Sequence, residues 1–254
     1  MNAKLKETIR RFLPTTIRDH RIQRGPLRGA RIYTSWHDYP GAILGTTETP
    51  LLAWLARQVK SGETWLDIGA HYGYTSIALS RLVGPSGRVF AFEPVAATAA
   101  CLARTRELNH FDQLTVVPFG LSADTGLRLH RLPVFRGMAE RTGPPTAPRQ
   151  VIVTASLDSL WSDEAVHGIK IDVQGMEADV LAGMRNVLRR WKPGLVVEFH
   201  RGVDRRSLVD LIEHCGYART PFPIQEMRLP AASLQIEDDR SYAFFSSAAT
   251  RKTV

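Results

Sequence analysis

Only two cysteines occur in the 254 residues, Cys101 and Cys215. That number excludes a disulfide framework or a cysteine-rich zinc site and predicts a reducing compartment. No apolar run approaches the roughly 18 residues that a membrane span needs. The N-terminus lacks the apolar core of a signal peptide, so the expected location is cytoplasmic, with peripheral contact at a membrane surface left open. Charge is not in excess either: 23% of residues are charged against 44% apolar, the balance of a globular chain. Acidic residues are scarce in one place. Residues 1–31 hold nine basic side chains and only Glu7 and Asp19 as acids, a net of +7, whereas the other 223 residues are nearly neutral at +1. A nucleic-acid grip would spread positive charge over the folded face, so nucleic acid is not the expected partner.

The chain therefore divides into a basic arm, 1–31, and one folded domain, 32–254. In the arm, Leu5, Ile9, Phe12 and Leu13 have the spacing of an amphipathic helix that Pro14 ends. Such a helix suits an anionic membrane surface, or it docks its apolar stripe on the domain. Beyond residue 49, helical and strand patterns alternate. Helices are predicted over Leu51–Val59, Tyr74–Leu82, Val95–Leu108, Met176–Trp191 and Ser207–His214. Strands are predicted over Thr64–Ile68, Val89–Phe92, Leu114–Val117, Leu127–Leu132, Val151–Ala155, Ile169–Val173, Leu195–Phe199 and Tyr242–Phe245. That alternation implies a parallel sheet with helices on both faces. Pro133–Arg149, with four prolines, reads as a long functional loop.

Three strand ends carry carboxylates. Trp65-Leu66-Asp67-Ile68-Gly69-Ala70-His71-Tyr72-Gly73 runs a buried strand into a turn where Gly69 and Gly73 let the backbone approach a ligand. It is not the dinucleotide fingerprint, because His71 stands where the second glycine would be. Nor is it a phosphate loop, since no Gly-Lys-Ser/Thr follows. About twenty residues after the first glycine, Glu93 ends the next strand, where an acid bonds ribose hydroxyls in doubly wound folds. The third segment, Ile169-Lys170-Ile171-Asp172-Val173-Gln174-Gly175-Met176-Glu177, ends a strand in Asp172 and opens a helix. Ligands bind beyond the carboxyl ends of such strands, so Asp67, Glu93 and Asp172 are expected in one crevice. Glu198 and His200 close the following strand near the same edge. Lys170 reads as a packing or solvent-edge residue, and Asp179 as a complement to its helix dipole.

The first segment, D-x-G-x-x-x-G, resembles motif I of the class I S-adenosylmethionine-dependent methyltransferases. The whole stretch from residue 45 to 200 resembles the FkbM family of these enzymes. The matching residues are Glu48 with its helix, Leu66–Gly73 with Tyr74, Gly87–Pro94, Asn109, Leu121–Gly126, Ile169–Leu181 and Val196–His200. His71-Tyr72 and Gln174 depart from the usual pattern. The resemblance implies a Rossmann-like fold with a mostly parallel seven-stranded sheet. It also implies S-adenosylmethionine as cofactor, held by Glu48, Asp67, Gly69, His71, Gly73, Glu93 and Asp172. The implied reaction is methylation of a hydroxyl on a small molecule, sugar, glycolipid or natural product. Anionic or carrier-linked acceptors are compatible with the basic arm.

Methyl transfer needs the acceptor oxygen held beside the methyl carbon and its proton removed as charge develops. Asp172 and His200 are the expected catalytic pair, with His200 better matched to neutral pH by its ordinary pKa. Asp172, Glu198 and His200 are donors that a divalent metal accepts, but no metal is predicted. Two other readings stay open: a non-catalytic module that binds an anionic surface, and an RNA-directed methyltransferase. The second is disfavoured because no base-flipping Asn-Pro-Pro-Tyr or Asp-Pro-Pro-Tyr segment occurs.

Overall fold

The structure is a computed structural model that describes residues 10, 12–224 and 239–247. The amphipathic stripe Leu5–Leu13 falls largely outside them. A hairpin of β1 (Arg18–Arg21) and β2 (Arg31–Thr34) comes first, its ends tied by an Arg31–Asp19 ion pair. Next are α1 (Pro40–Leu44), α2 (Thr49–Gln58), β3 (Thr64–Ile68), α3 (Tyr74–Val83), β4 (Arg88–Phe92), α4 (Ala96–Leu108) and β5 (Leu114–Val117). An insertion contains β6 (Gly120–Leu121), β7 (Arg128–Phe135), β8 (Met138–Ala139) and β9 (Arg149–Ala155). The chain then continues through α5 (Leu157–Leu160), β10 (Gly168–Ile171), α6 (Glu177–Ala182), α7 (Arg185–Trp191), β11 (Gly194–Phe199), α8 (Arg205–His214), β12 (Phe222–Pro223) and β13 (Arg240–Phe244).

The main sheet has seven strands in the order β12-β13-β11-β10-β3-β4-β5. Five neighbours, β11 to β5, are parallel, and β13 is antiparallel to both β11 and β12. Period-two alternation sends Trp65 of β3 to one core and Leu66 and Ile68 to the other. The first core takes Ile77 and Leu79 of α3 and Leu102 of α4; the second takes Val180, Leu181, Leu188, Leu208 and Ile212 of α6 to α8. Both faces are thus covered, as parallel strands require. The strand order reverses between β3 and β10. That switch point opens the crevice in which strand-end acids meet.

Three expectations need correction. The predicted helix Met176–Trp191 is two helices, α6 and α7. Gly183 separates them, packed so closely that a Cβ there would lie 1.8 Å from the Ser122 carbonyl oxygen. The predicted loop Pro133–Arg149 instead includes the end of β7, all of β8 and the start of β9, within a sheet ordered β6-β9-β7-β8. Its prolines mislead because Pro133 and Pro148 keep their carbonyls in use, accepting from Glu140 N and Val134 N. Only residues 136–137 and 140–148 of that segment lack strand or helix. Finally, part of the basic arm is folded into the domain: Ile22, Leu27, Ala30 and Ile32 of the hairpin are buried in the first core. Burial of each of Ile22, Leu27 and Ile32 there contributes about 1.5–3 kcal/mol.

Candidate active site

A cavity of about 250 Å³ lies at the carboxyl ends of β3, β4 and β10. Glu48, Gly69, His71, Glu93 and Asp172 all line it. Of the residues expected there, Asp67 lies buried beneath the loop, and Gly73 caps α3 against Leu102, where a Cβ would come within 2.4 Å of Leu102 Cδ1. Gly69 shows why that turn needs glycine: its φ is +79°, and a Cβ would lie 1.8 Å from the Asp172 carbonyl oxygen. The two strand-end loops therefore touch through backbone. Left-handed backbone also occurs at Glu48, His71, Arg136 and Gln174, none of them glycine, and all four line the cavity. Such conformations cost of order 1–3 kcal/mol each and gather at ligand sites.

The centre of the floor is Lys170, which corrects its reading as a packing residue. Its Nζ lies 3.3 Å from Asp67 Oδ1 and 3.4 Å from Asp172 Oδ2, and it donates to the Gly69 carbonyl at 3.2 Å. Burial works against its charge, but Asp67, Asp172, Glu48 and Glu198 outweigh it and raise its pKa. Asp67 is further fixed by Ser76 Oγ, which donates to Oδ2 at 2.6 Å.

Asp172 is bonded on several sides. Besides Lys170, His200 Nε2 sits 3.3 Å from Oδ1, and Gln174 Nε2 donates to the same oxygen at 3.3 Å. Burial would raise its pKa, but the Lys170 and His200 charges hold it well below the usual carboxylate range. His200 Nδ1 reaches Glu177 Oε1 at 2.5 Å, and Glu177 is itself buried and accepts from Gly175 N at 3.1 Å. Burial lowers the affinity of His200 for its proton, yet hydrogen bonds to Asp172 and Glu177 prevail and push its pKa up to about 11. The ordinary imidazole value, which suggested a base matched to neutral pH, does not apply between two carboxylates. Nor does His200 line the cavity: it faces a neighbouring cleft with Glu140, Arg141 and Arg201. Asp179 stands outside too, ion-paired with Arg141.

At the other end, Glu93 Oε2 accepts from His71 N at 2.9 Å and Oε1 from Val95 N at 2.9 Å. Burial pushes its pKa up to about 7 against those two bonds. His71 is held neutral, its pKa lowered to about 4 chiefly by burial, so its Nε2 donates to the Arg136 carbonyl at 2.9 Å. That bond, with Thr98 Oγ1 donating to the Gly137 carbonyl at 2.7 Å, pins the β7–β8 turn beside the cavity.

Tyr39, Tyr74 and Glu198 also line the cavity. In the sequence Tyr74 is counted among the residues that match the family, without a role of its own. The Tyr74 hydroxyl is buried with no hydrogen-bond partner. Glu198 is pushed up to about 8 by burial and then by the Asp172 and Glu48 charges, and Ser241 Oγ donates to it at 3.4 Å. Its folded pKa lies above its unfolded value, so its contribution to stability is fully present below about pH 4.5 and lost as pH rises through about 8. A Glu198→Gln variant is therefore expected to melt several degrees above wild type at pH 9 and close to it at pH 5, as calorimetry can read. An equal gain at both pH values would trace the effect to packing.

Among the described residues, no group of three or more His, Cys, Asp or Glu side chains is arranged to hold a metal. Nor is any helix there long and apolar enough to cross a membrane.

A parallel sheet with an antiparallel strand next to one edge, and strand-end acids around a glycine turn, define a class I S-adenosylmethionine-dependent methyltransferase fold. The chain belongs to the methyltransferase FkbM domain family, which it matches over residues 67–218. It is 28% identical over 171 residues to the hexuronic acid methyltransferase AglP of Haloferax volcanii, covering 65% of this chain and 67% of that protein. The crystal structure of methyltransferase FkbM from Methylobacillus flagellatus KT shares the fold at TM-score 0.51 and 19% identity, covering 82% of this chain and 54% of that one. The family's cofactor is S-adenosylmethionine. The cavity suits such a ligand: Glu48, Glu93 and Asp172 line it and offer carboxyl oxygens that an ammonium and ribose hydroxyls can bond. The unpartnered Tyr74 hydroxyl offers a further polar contact.

Proposed function

We propose that this protein methylates a hydroxyl oxygen of a small-molecule or glycan acceptor. The observation that carries the reading is Asp172, an ionised carboxylate on the cavity wall with its charge fixed between Lys170 and His200. Glu93 would hold the ribose of S-adenosylmethionine, while Glu48 and Tyr74 would serve its cationic methionine end and Asp67 would act from beneath the loop by fixing Lys170. When bound, the cofactor supplies an electrophilic methyl group on sulfur. Asp172 accepts the hydrogen bond of the acceptor hydroxyl, orients its lone pair and stabilises the proton as it is released. His200 and Lys170 are positioning residues that keep Asp172 ionised and immobile. Similarity to a hexuronic acid methyltransferase supports a sugar hydroxyl within this acceptor class.

Calorimetric titration tests the first half of the reading. S-adenosylmethionine is expected to bind and NAD not to bind. Glu93→Gln, which removes one anionic acceptor, is expected to weaken cofactor binding by about tenfold. Incubation with ¹³C-methyl-labelled cofactor and glucuronic acid or its glycosides tests the second half, through an O-methyl NMR signal. A folded protein that ignores S-adenosylmethionine, or labels only nitrogen or carbon in an acceptor screen, overturns it.

A further inference from the structure

The small sheet β6-β9-β7-β8 has two faces of different character. Register pairs Leu129 with Val153 and Arg131 with Val151, and alternation puts these four side chains on one face. The opposite face carries Ile152 and Val134 into a small core with Val95 and Ala139. On the first face Leu129 is 74% exposed and Val151 57%, and Leu127, just before β7, is 70% exposed. Arg131 and Arg149, both exposed, belong to the same face, where Arg149 Nη2 donates to the Arg131 carbonyl.

We propose that this aliphatic, arginine-bordered face is a docking surface for an anionic lipid membrane. Charge supports that occupant. Of the five arginines in residues 125–155, Arg131 and Arg149 lie on this face, and the segment's one acid, Glu140, does not. Glu140 lines the cleft beside His200, and Asp124 is engaged by Arg128 at 3.8 Å and His130 at 3.7 Å, so neither belongs to the exposed face. A second copy fits less well. Two-fold pairing would bring Arg131 and Arg149 against their own counterparts with no carboxylate on the face to offset them. Nucleic acid fits less well too, because the exposed side chains are aliphatic and offer no ring on which a base stacks. A lipid interface satisfies both parts: aliphatic tips enter the headgroup boundary while guanidinium groups meet lipid phosphates. The same sheet brings Met138 and Ala139 to the cavity, so docking would bring the cavity to lipid-borne acceptors.

Co-sedimentation of the full chain with vesicles tests the surface without reference to the reaction. Binding to equimolar phosphatidylcholine and phosphatidylglycerol is expected to exceed binding to phosphatidylcholine alone and to weaken with added salt. Leu129→Glu with Val151→Glu is expected to lower it about tenfold or more, as is Arg131→Glu with Arg149→Glu. Because the four positions lie outside the cavity, both variants should bind S-adenosylhomocysteine like wild type, which certifies their fold. Absent vesicle binding, or binding that these folded variants keep in full, overturns the proposal. So does a dimer that Leu129→Glu with Val151→Glu dissociates while wild type ignores vesicles.

Discussion

An Asp172→Asn enzyme is expected to turn over about 10²–10⁴ times more slowly than wild type, with cofactor affinity changed by less than about threefold. Asparagine keeps the shape of the side chain and a hydrogen-bond acceptor, but loses the charge that favours release of the acceptor proton. The loss should therefore fall on kcat more than on KM. A second readout separates this from misfolding. His200 owes its high proton affinity to Asp172 and Glu177 together. Losing one of the two carboxylates should lower that affinity, which NMR titration of the ring reads directly. His200→Gln, a change to a positioning residue, should cost less in kcat than Asp172→Asn. If Asp172→Asn left turnover intact, the proton would have to leave by another route, and the proposed role of Asp172 would fall.

These roles divide into what sequence carries and what it does not. Thr64–Ile68 is legible to the residue, because an apolar run between a glycine–glutamate pair and a glycine turn admits few other readings. Asp67, Glu93 and Asp172 are legible as strand-end acids, since a parallel sheet aligns every strand end on one edge. The state of His200 is not legible. It depends on Glu177, 23 positions earlier at the start of α6, and on Asp172, which the pairing of β10 with β11 brings to its ring. Lys170 was misread for a related reason. An alternating strand gives no sign that its ammonium faces four carboxyls contributed by separate segments. Pro133 and Pro148 signal a loop locally, yet the sheet uses their carbonyls and does not need their missing N–H groups. In the arm, the charge count concealed Ile22, Leu27 and Ala30, which commit the hairpin to the core.

The buried lysine leads to the largest expected loss of stability. Lys170→Met keeps most of the volume but removes the cation that lies 3.3 Å from Asp67 Oδ1 and 3.4 Å from Asp172 Oδ2. Removing one partner of a buried ion pair leaves the other charge uncompensated, which costs about 3–5 kcal/mol. For a chain of this length that corresponds to a fall in Tm of about 10 °C. The sign of the pH dependence follows from the carboxylates. Burial raises the pKa values of Glu48 and Glu198 while the Lys170 charge holds them down, so without the ammonium both become harder to ionise in the folded variant. Their contribution to stability is then present at low pH and lost as pH rises. The deficit relative to wild type should accordingly be larger at pH 8 than at pH 5, as scanning calorimetry of both proteins measures. A deficit of equal size at both pH values would mean that Lys170 matters through its packed methylene chain alone. The charge balance assigned to the cavity floor would then be wrong.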